Sequence, residues 1–498
     1  MSWTEIPEHL EGAARSSAIN RREFLRRSAI TAGIGLGAAA ALSPGQVLAA
    51  LSQSESTAVP LGEAMGIDHF VILMMENRSF DHYFGWLDPE IADASQHQSY
   101  ADPTGKVYET RHAGAIDPAA PNQGCSFGDP GHGWGAGRAQ LQRGFLGEGS
   151  GNDEFALSYY DKGDLGFIHA AAGAFNVYDK YFCSLLGPTW PNRYYKWSAQ
   201  SGGRNNNNPP VDQGLGNQWD TIFDKALRER PNDVTCNYYN SDLPFSAVWG
   251  TRGASWTRPI AEYYADCAAG TLPNITIIDP PFRDGGGFDG NSADEHPMGD
   301  VRLGQAFMAD VAHAFLDSPN FRRGAMFIIY DEWGGFFDHV KPPKVADDRA
   351  NDDLNLDFGQ MGFRTPTTVL SPYTLGTGVS HVGPLGHESI LKLIRQRFAL
   401  TPLCLRDDKA TSIGESFDWS VDASKVEVPD LPHPSHIVSK PCAMGGGDVV
   451  VTDDGTHAGD MDGLEELAER FGIPVGTGKP HEIFREPTKV QAALRAAA

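Results

Sequence analysis

Two groups of polar side chains stand directly behind strongly apolar runs. Glu76 and Asn77 follow residues 67–75 (IDHFVILMM), and Asp331 and Glu332 follow residues 325–330 (AMFIIY). Adjacent carboxylates repel unless a proton or a cation intervenes. Two groups of matching character point to one shared divalent cation held by oxygen ligands. For either pair alone, two solvated acids in a loop is the plainer explanation. A third segment, residues 183–193 (CSLLGPTWPNR), places Thr189 at or just before the start of a helix, where backbone N–H groups and the helix dipole favour an anion. A metal that lowered its pKa would make the Thr189 hydroxyl a nucleophile. Taken by itself, the segment fits a helix cap better. His132 (DPGHGW) and His296 (DEHP) lie in polar loops rather than in apolar periodic stretches. So does His339, and His387 opens a predicted helix.

These residues need a scaffold. Residues 67–75, 274–278 and 325–330 are short apolar runs rich in β-branched side chains, suited to strands buried on both faces. Between the last two, Phe307, Met308, Val311 and Phe315 recur at helical spacing. Ile390, Leu391, Ile394 and Phe398 form a second such stripe. Strands alternating with helices predict an α/β sheet, mixed and largely parallel. In such sheets polar groups just past the carboxyl ends of strands occupy the usual site position. From residue 421 the regular pattern gives way to Pro, Gly and Asp, predicting an extended tail over the surface, with a helix over residues 463–471.

The 498 residues carry 64 Asp+Glu against 40 Lys+Arg, a net charge of −24, with 41% hydrophobic residues. That composition is globular. Its acidity argues against nucleic acid as partner and against a polybasic grip on anionic lipid. Near the N-terminus, Arg21–Arg22 precede an uncharged Ala/Gly-rich stretch (29–42) and small residues at 47–50, the pattern of a twin-arginine export signal. The expected layout is a signal over 1–50, a catalytic domain over 51–440 and a C-terminal extension over 441–498, packed on the domain or trailing from it. The expected partner is the twin-arginine export machinery, and the expected location is the periplasm, cell envelope or exterior. No integral membrane segment is expected in the mature chain. Six cysteines without a CxxC permit disulfides after export but not a zinc ribbon.

Several segments together carry a resemblance. IDHFVILMMENRSFDHYFG (67–85), CSLLGPTWPNRYY (183–195), DEHP (294–297), IIYDEWGGFFDHVKPP (328–343), GFRTPTTVLSPYT (362–374), HESILKLIRQRF (387–398) and FDWS (417–420) resemble, in order and spacing, the bacterial phosphoesterase family of non-haemolytic-type phospholipases C and related acid phosphatases. The resemblance implies an alkaline-phosphatase-like three-layer α/β sandwich with a largely parallel sheet and long loop insertions. It also implies phosphoester hydrolysis through a covalent phosphoenzyme. On that basis Glu76, Asn77, Asp331 and Glu332 hold a divalent metal, and Thr189 is both nucleophile and metal ligand. His296 and His132 contact phosphate or protonate the leaving oxygen, and Arg193 is structural, with phosphate binding as the alternative.

Two departures from the pattern stand out. Trp333 occupies a position where relatives carry His or Asn, and is expected to reshape access for the leaving group. Gly187–Pro188 stiffens the turn before Thr189. The long C-terminal extension of larger relatives is missing, so no separate lipid-docking domain is expected. An apolar rim of Phe80, Trp86, Trp134, Trp190 and Trp333 could admit lipid chains, with core packing an equal alternative for each. The expected activity is a phospholipase C acting on a glycerophospholipid, with an acid phosphatase on soluble phosphomonoesters as the alternative. A non-catalytic binding protein on the same scaffold is a remote third, disfavoured by the intact site residues. A twin-arginine redox enzyme is disfavoured because no GxGxxG motif or clustered cysteines are present.

Overall fold

The computed structural model describes residues 59–87, 99–210, 214–282, 292–439, 442, 461 and 463–476. Eight strands make the central sheet: β1 (His69–Met75), β2 (Asn176–Tyr178), β3 (Cys236–Asn240), β4 (Thr257–Pro259), β5 (Ile275–Asp279), β6 (Gly324–Tyr330), β7 (Thr368–Leu370) and β8 (Gly378–Ser380). Their order across the sheet is β8-β2-β7-β6-β1-β5-β3-β4. Every pairing is parallel except those of β7 with β6 and β2. The expected mixed, largely parallel sheet is therefore present.

β1 is the centre of this arrangement, paired with β6 on one side and β5 on the other. Both of its faces are covered, which explains its unbroken apolar sequence. Val71, Leu73 and Met75 share a core with Phe307, Val311 and Phe315, while Phe70 meets Phe398 edge-on at 5.8 Å. The longer helices are α1 (Trp134–Arg143), α2 (Thr189–Ser198), α3 (Ile222–Glu229), α4 (Ile260–Ala269), α5 (Val301–Leu316), α6 (His387–Phe398) and α7 (Leu464–Phe471). α4 and α5 pack together, as do α2 and α6. The Asp300 side chain caps α5 by accepting from the Arg302 N–H. α2 is buried along its whole length.

Cys125 and Cys442 form a disulfide, whereas Cys183, Cys236, Cys267 and Cys404 are unbonded. Past a short turn at Ala423–Lys425, residues 426–439 form neither helix nor strand. α7 packs against the turn Phe245–Trp249 through buried Leu464, Leu467 and Ala468. The twin-arginine segment lies outside the described residues.

Candidate active site

Strand register assembles the site. Met75 is level with Tyr330, so Glu76–Asn77 and Asp331–Glu332 leave the sheet side by side. Asp279, the last residue of β5, lies on the other flank of β1. The Asp331 N–H donates to the Met75 carbonyl (3.1 Å), and the Asn77 N–H donates to Asp331 Oδ1 (3.0 Å). Asn77 sits at φ 57°, in the left-handed region that asparagine tolerates better than most residues. Two glycines after the DE pair allow neighbouring loops to close in. A Cβ on Gly334 would lie 2.1 Å from the Asn77 carbonyl oxygen, and one on Gly335 would lie 2.6 Å from that of Gly131.

Thr189 is the first residue of α2. The cap position is Pro188, which supplies no side-chain cap. The Thr189 hydroxyl faces Glu76, with Oγ1 3.5 Å from Oε2. Asn192 fixes the preceding turn: its Oδ1 accepts from the Leu185 N–H (2.9 Å) and its Nδ2 donates to the Gly187 carbonyl (2.8 Å).

Arg193, one residue on, supplies positive charge to the site. Its Nε donates to Glu76 Oε1 (2.9 Å) and its Nη1 to Asp279 Oδ1 (2.8 Å), and Asp331 Oδ2 lies 3.6 Å away. Lys196 Nζ also reaches Asp279 Oδ1 (2.8 Å). Burial pushes the Glu76 carboxyl well above the usual range even beside Arg193. Burial would raise Asp279 too, but Lys196 and Arg193 together hold it below its ordinary value. Burial lowers Lys196 to about 8.

The donor set fits a divalent cation. Glu76, Asp279, Asp331 and Glu332 are four carboxylates against the two positive charges of Arg193 and Lys196, so two negative charges remain. The Asn77 carboxamide agrees. One of its terminal atoms lies 3.1 Å from Glu76 Oε2 and 2.7 Å from Glu332 Oε1, and the other lies 2.6 Å from His296 Nε2. Without a cation, the hydrogen bonds are satisfied only with nitrogen towards the carboxylates. With a cation among those oxygens, the carbonyl oxygen takes that place.

The two histidines close the other side. His132 Nδ1 lies 2.8 Å from the Pro130 carbonyl and His296 Nδ1 lies 2.5 Å from that of Pro297. Each Nδ1 therefore carries a proton, and each Nε2 is directed towards Asn77. Asp129 lies between them, its Oδ2 3.9 Å from His296 Nε2 and 4.0 Å from His132 Nδ1. Ligand atoms of these three residues fall within 4.8 Å of one another. His296 is fixed from behind: its N–H donates to Asp294 Oδ1 (2.9 Å), and Arg78 Nε holds the Glu295 carbonyl (2.8 Å). His387 Nε2 lies 2.8 Å from the Asp331 carbonyl oxygen, supporting that backbone from α6. A separate cluster of Asp81, Asp338 and His339 is bound by Arg364 at 2.7 and 3.0 Å, a buried ion-pair network.

All seven residues expected at the site thus converge, with Asp129, Asp279 and Lys196 as additions. Asp129 had a local signal, three residues before His132. Asp279 and Lys196 had none, because their roles come from strand order and helix placement. Two expectations need correction. Trp333 is fully buried and points away from the leaving-group side, its ring packed over Gly137 and its Nε1 donating to Gln140 Oε1 (2.7 Å). Gln140 Nε2 in turn holds the Gly131 (2.5 Å) and Ser150 (2.9 Å) carbonyls, so Trp333 braces the His132 loop. Of the expected rim, Phe80 and Trp190 are also core. Trp134, half-buried, remains beside Gly187, with the Phe358 ring tilted against it at 5.0 Å and the 59% exposed Leu356 in the loop of Phe358.

A parallel α/β sheet whose strand ends gather carboxylates opposite a helix-start hydroxyl defines a hydrolase of phosphoric esters. Comparison with known proteins names the group: residues 67–401 match the model of the Phosphoesterase family, and the chain belongs to it. It is 31% identical to non-specific phospholipase C6 of Arabidopsis thaliana over 375 residues (66% of this chain, 68% of that one). It is 28% identical to phospholipase C B of Mycobacterium tuberculosis over 445 residues (75% and 81%). It is 29% identical to the non-hemolytic phospholipase C of Burkholderia pseudomallei over 453 residues (76% and 61%).

Proposed function

We propose that this protein is an exported, metal-dependent phospholipase C that cleaves a glycerophospholipid to diacylglycerol and a phosphorylated head group through a covalent adduct on Thr189. The observation that carries the reading is the Thr189 hydroxyl, 3.5 Å from Glu76 Oε2 at the start of a buried helix and facing the strand-end carboxylates. Glu76, Asn77, Asp331, Glu332 and Thr189 would hold the divalent ion. When bound, that ion lowers the pKa of a hydroxyl and offsets charge on phosphoryl oxygens.

The chain's own groups do the rest. Arg193 occupies one oxygen of Glu76 and leaves the other for the Thr189 proton and the cation. The positive end of the α2 dipole lies at Thr189, where it favours the anion. Thr189 Oγ1 attacks phosphorus in line, and His296 Nε2 or His132 Nε2 protonates the departing glycerol oxygen. Asp129 favours the charged form of both rings by proximity. Water then attacks the phosphothreonine diester, the same histidine now accepting its proton, while the bond from phosphorus to Thr189 Oγ1 breaks and Oγ1 takes back its proton from Glu76, freeing the phosphorylated head group. The half-buried Trp134 and Phe358 and the exposed Leu356 give an apolar edge beside the Gly187 turn, which favours a lipid over a small soluble ester. The names of the relatives point the same way. Residues 1–50 carry the twin-arginine pattern, which supports export.

The test is a substrate panel of phosphatidylcholine, sphingomyelin and a soluble phosphomonoester, with Thr189→Ala as control. Diacylglycerol release that requires Thr189 is expected. Cleavage of the monoester alone would replace this reading with a phosphatase.

A further inference from the structure

The first turn of α2 is held by a side chain that its own sequence does not supply. The cap residue is Pro188, which offers no side-chain acceptor, and Pro191 within the turn has no N–H. The opening turn therefore presents the N–H groups of Thr189 and Trp190, while the Asn192 N–H returns to the Pro188 carbonyl at 3.4 Å. The Trp190 N–H is met from outside the helix. It donates to Asn207 Oδ1 at 2.9 Å, and both residues are buried.

Asn207 belongs to a run of four asparagines, Asn205 to Asn208, whose side chains have different surroundings. Asn207 is 8% exposed, Asn205 and Asn206 are half-buried, and Asn208 is exposed. In a polar surface loop, burial singles out one of four identical side chains. It is reached because the chain doubles back along α2. The helix ends at Ala199 in the left-handed region (φ 55°), and Gly202 and Gly203, at φ 65° and 86°, continue the reversal. Trp219 closes over Gly202, where a Cβ would lie 2.4 Å from the indole ring, and its Nε1 donates to Ser198 Oγ at 2.9 Å. Ten helical residues cover about 15 Å, and residues 200–207 reach further than that when extended. Arg204 Nε then donates to Asn217 Oδ1 at 3.1 Å, and Pro209 lies against Gly463 at the start of α7.

We propose that Asn207 is a positioning residue for phosphoryl transfer, a cap brought back from the far end of α2 that holds the Trp190 N–H and so aims the adjoining Thr189 hydroxyl at phosphorus. This rests on Thr189 as the nucleophile. Asn192 fixes the turn ahead of Thr189 through Leu185 and Gly187, and Asn207 fixes the residue behind it. The Trp190 ring is held as well, edge-on to Phe245 at 5.5 Å. With both neighbours fixed, the approach of Oγ1 to phosphorus is set by the backbone before substrate arrives. Because the Asn207 contact is to the helix and not to substrate, its loss falls on the chemical step rather than on binding.

The experiment compares the full protein with Asn207→Ala, Asn207→Leu and Asn207→Asp on a short-chain phosphatidylcholine. Alanine removes the acceptor, and leucine removes it while keeping the shape should the alanine variant fold poorly. Aspartate keeps an acceptor oxygen at the same reach. Near-UV circular dichroism establishes that each variant is folded. In Asn207→Ala and Asn207→Leu, kcat is expected to fall roughly ten- to a hundredfold with KM changed less than about threefold. Asn207→Asp should recover kcat to within about threefold of wild type. Hydrogen exchange in the peptide carrying residues 189–194 should quicken in the first two variants and not in the third. Near-wild-type kcat in folded Asn207→Ala or Asn207→Leu would overturn the proposal. So would a raised KM at constant kcat, the mark of a substrate contact, or a failure of aspartate to restore the rate. Thr189→Ala, run alongside, keeps the two readings apart. Activity surviving there removes the nucleophile assignment itself, whereas loss there with no effect at Asn207 removes this proposal alone.

Discussion

Replacing Arg193 with Met tests the electrostatic basis of the site. The guanidinium is fully buried and meets Glu76, Asp279 and Asp331 at 2.9, 2.8 and 3.6 Å. Methionine fills similar space but removes the charge, leaving Glu76 without a cationic partner while Lys196 still covers Asp279. Removing one member of a buried ion pair costs about 3–5 kcal/mol, which is the loss expected near pH 8. The cost should shrink in acid. Burial already raises the Glu76 carboxyl well above the usual range, and without Arg193 it rises further. A raised carboxyl stays protonated at low pH, carries no unpaired charge there, and becomes destabilising as pH climbs through its folded value. Urea unfolding followed by tryptophan fluorescence at pH 5 and pH 8 measures both costs. A divalent cation added at pH 8 should narrow the gap to wild type by supplying the missing charge. A penalty below about 1 kcal/mol at pH 8, or an equal one at both pH values, would refute the assignment of Arg193 as the counter-charge of the site.

Three further outcomes follow from other contacts. Trp333→Phe keeps the buried ring but strands Gln140 Oε1, so it should cost about 1–3 kcal/mol of stability and lower kcat roughly tenfold through the His132 loop, leaving KM little changed; unchanged kcat would separate Trp333 from the histidine. Leu356→Asp places a charge on the exposed apolar edge and should reduce turnover of phosphatidylcholine vesicles roughly tenfold or more while leaving a soluble phosphomonoester unaffected; equal loss on both substrates would rule out a lipid-contacting role. Glu295, raised to about 7 by burial, stays protonated in the fold while the unfolded chain ionises, so its stabilising effect is present in acid and lost as pH rises towards neutrality. Glu295→Gln should therefore flatten the fall in unfolding free energy between about pH 4.5 and 7, which a urea-midpoint series over that range would show.

The parts visible in the sequence share a physical cause. β1, β5 and β6 are covered on both faces, so each reads as an apolar run, and the polar pair behind β1 or β6 marks the strand end. Strands such as Asn176–Tyr178 and Gly378–Ser380 are three residues long, and Cys236–Asn240 (CNYYN) has its two asparagines three apart, so none has a periodicity to read. The helical stripes of α5 and α6 follow their spacing because those residues are buried, Phe307, Val311 and Phe315 in one core with β1 and Phe398 against Phe70. Thr189 looked like a cap because its partner, Glu76, lies 113 residues away. Trp333 misled for a related reason: it follows two site carboxylates in the chain, yet its backbone turns its ring towards α1. Asp279 and Lys196 became visible only once β5 was placed beside β1.

The central claim is that Thr189 forms a covalent bond to phosphorus. Acid quenching of the enzyme during turnover of a short-chain phosphatidylcholine, followed by peptide mass spectrometry, tests it directly. The account predicts a phosphocholine mass on the peptide carrying Thr189, absent from Thr189→Ala along with activity. Steady turnover by Thr189→Ala, or an adduct on a different side chain, would contradict it.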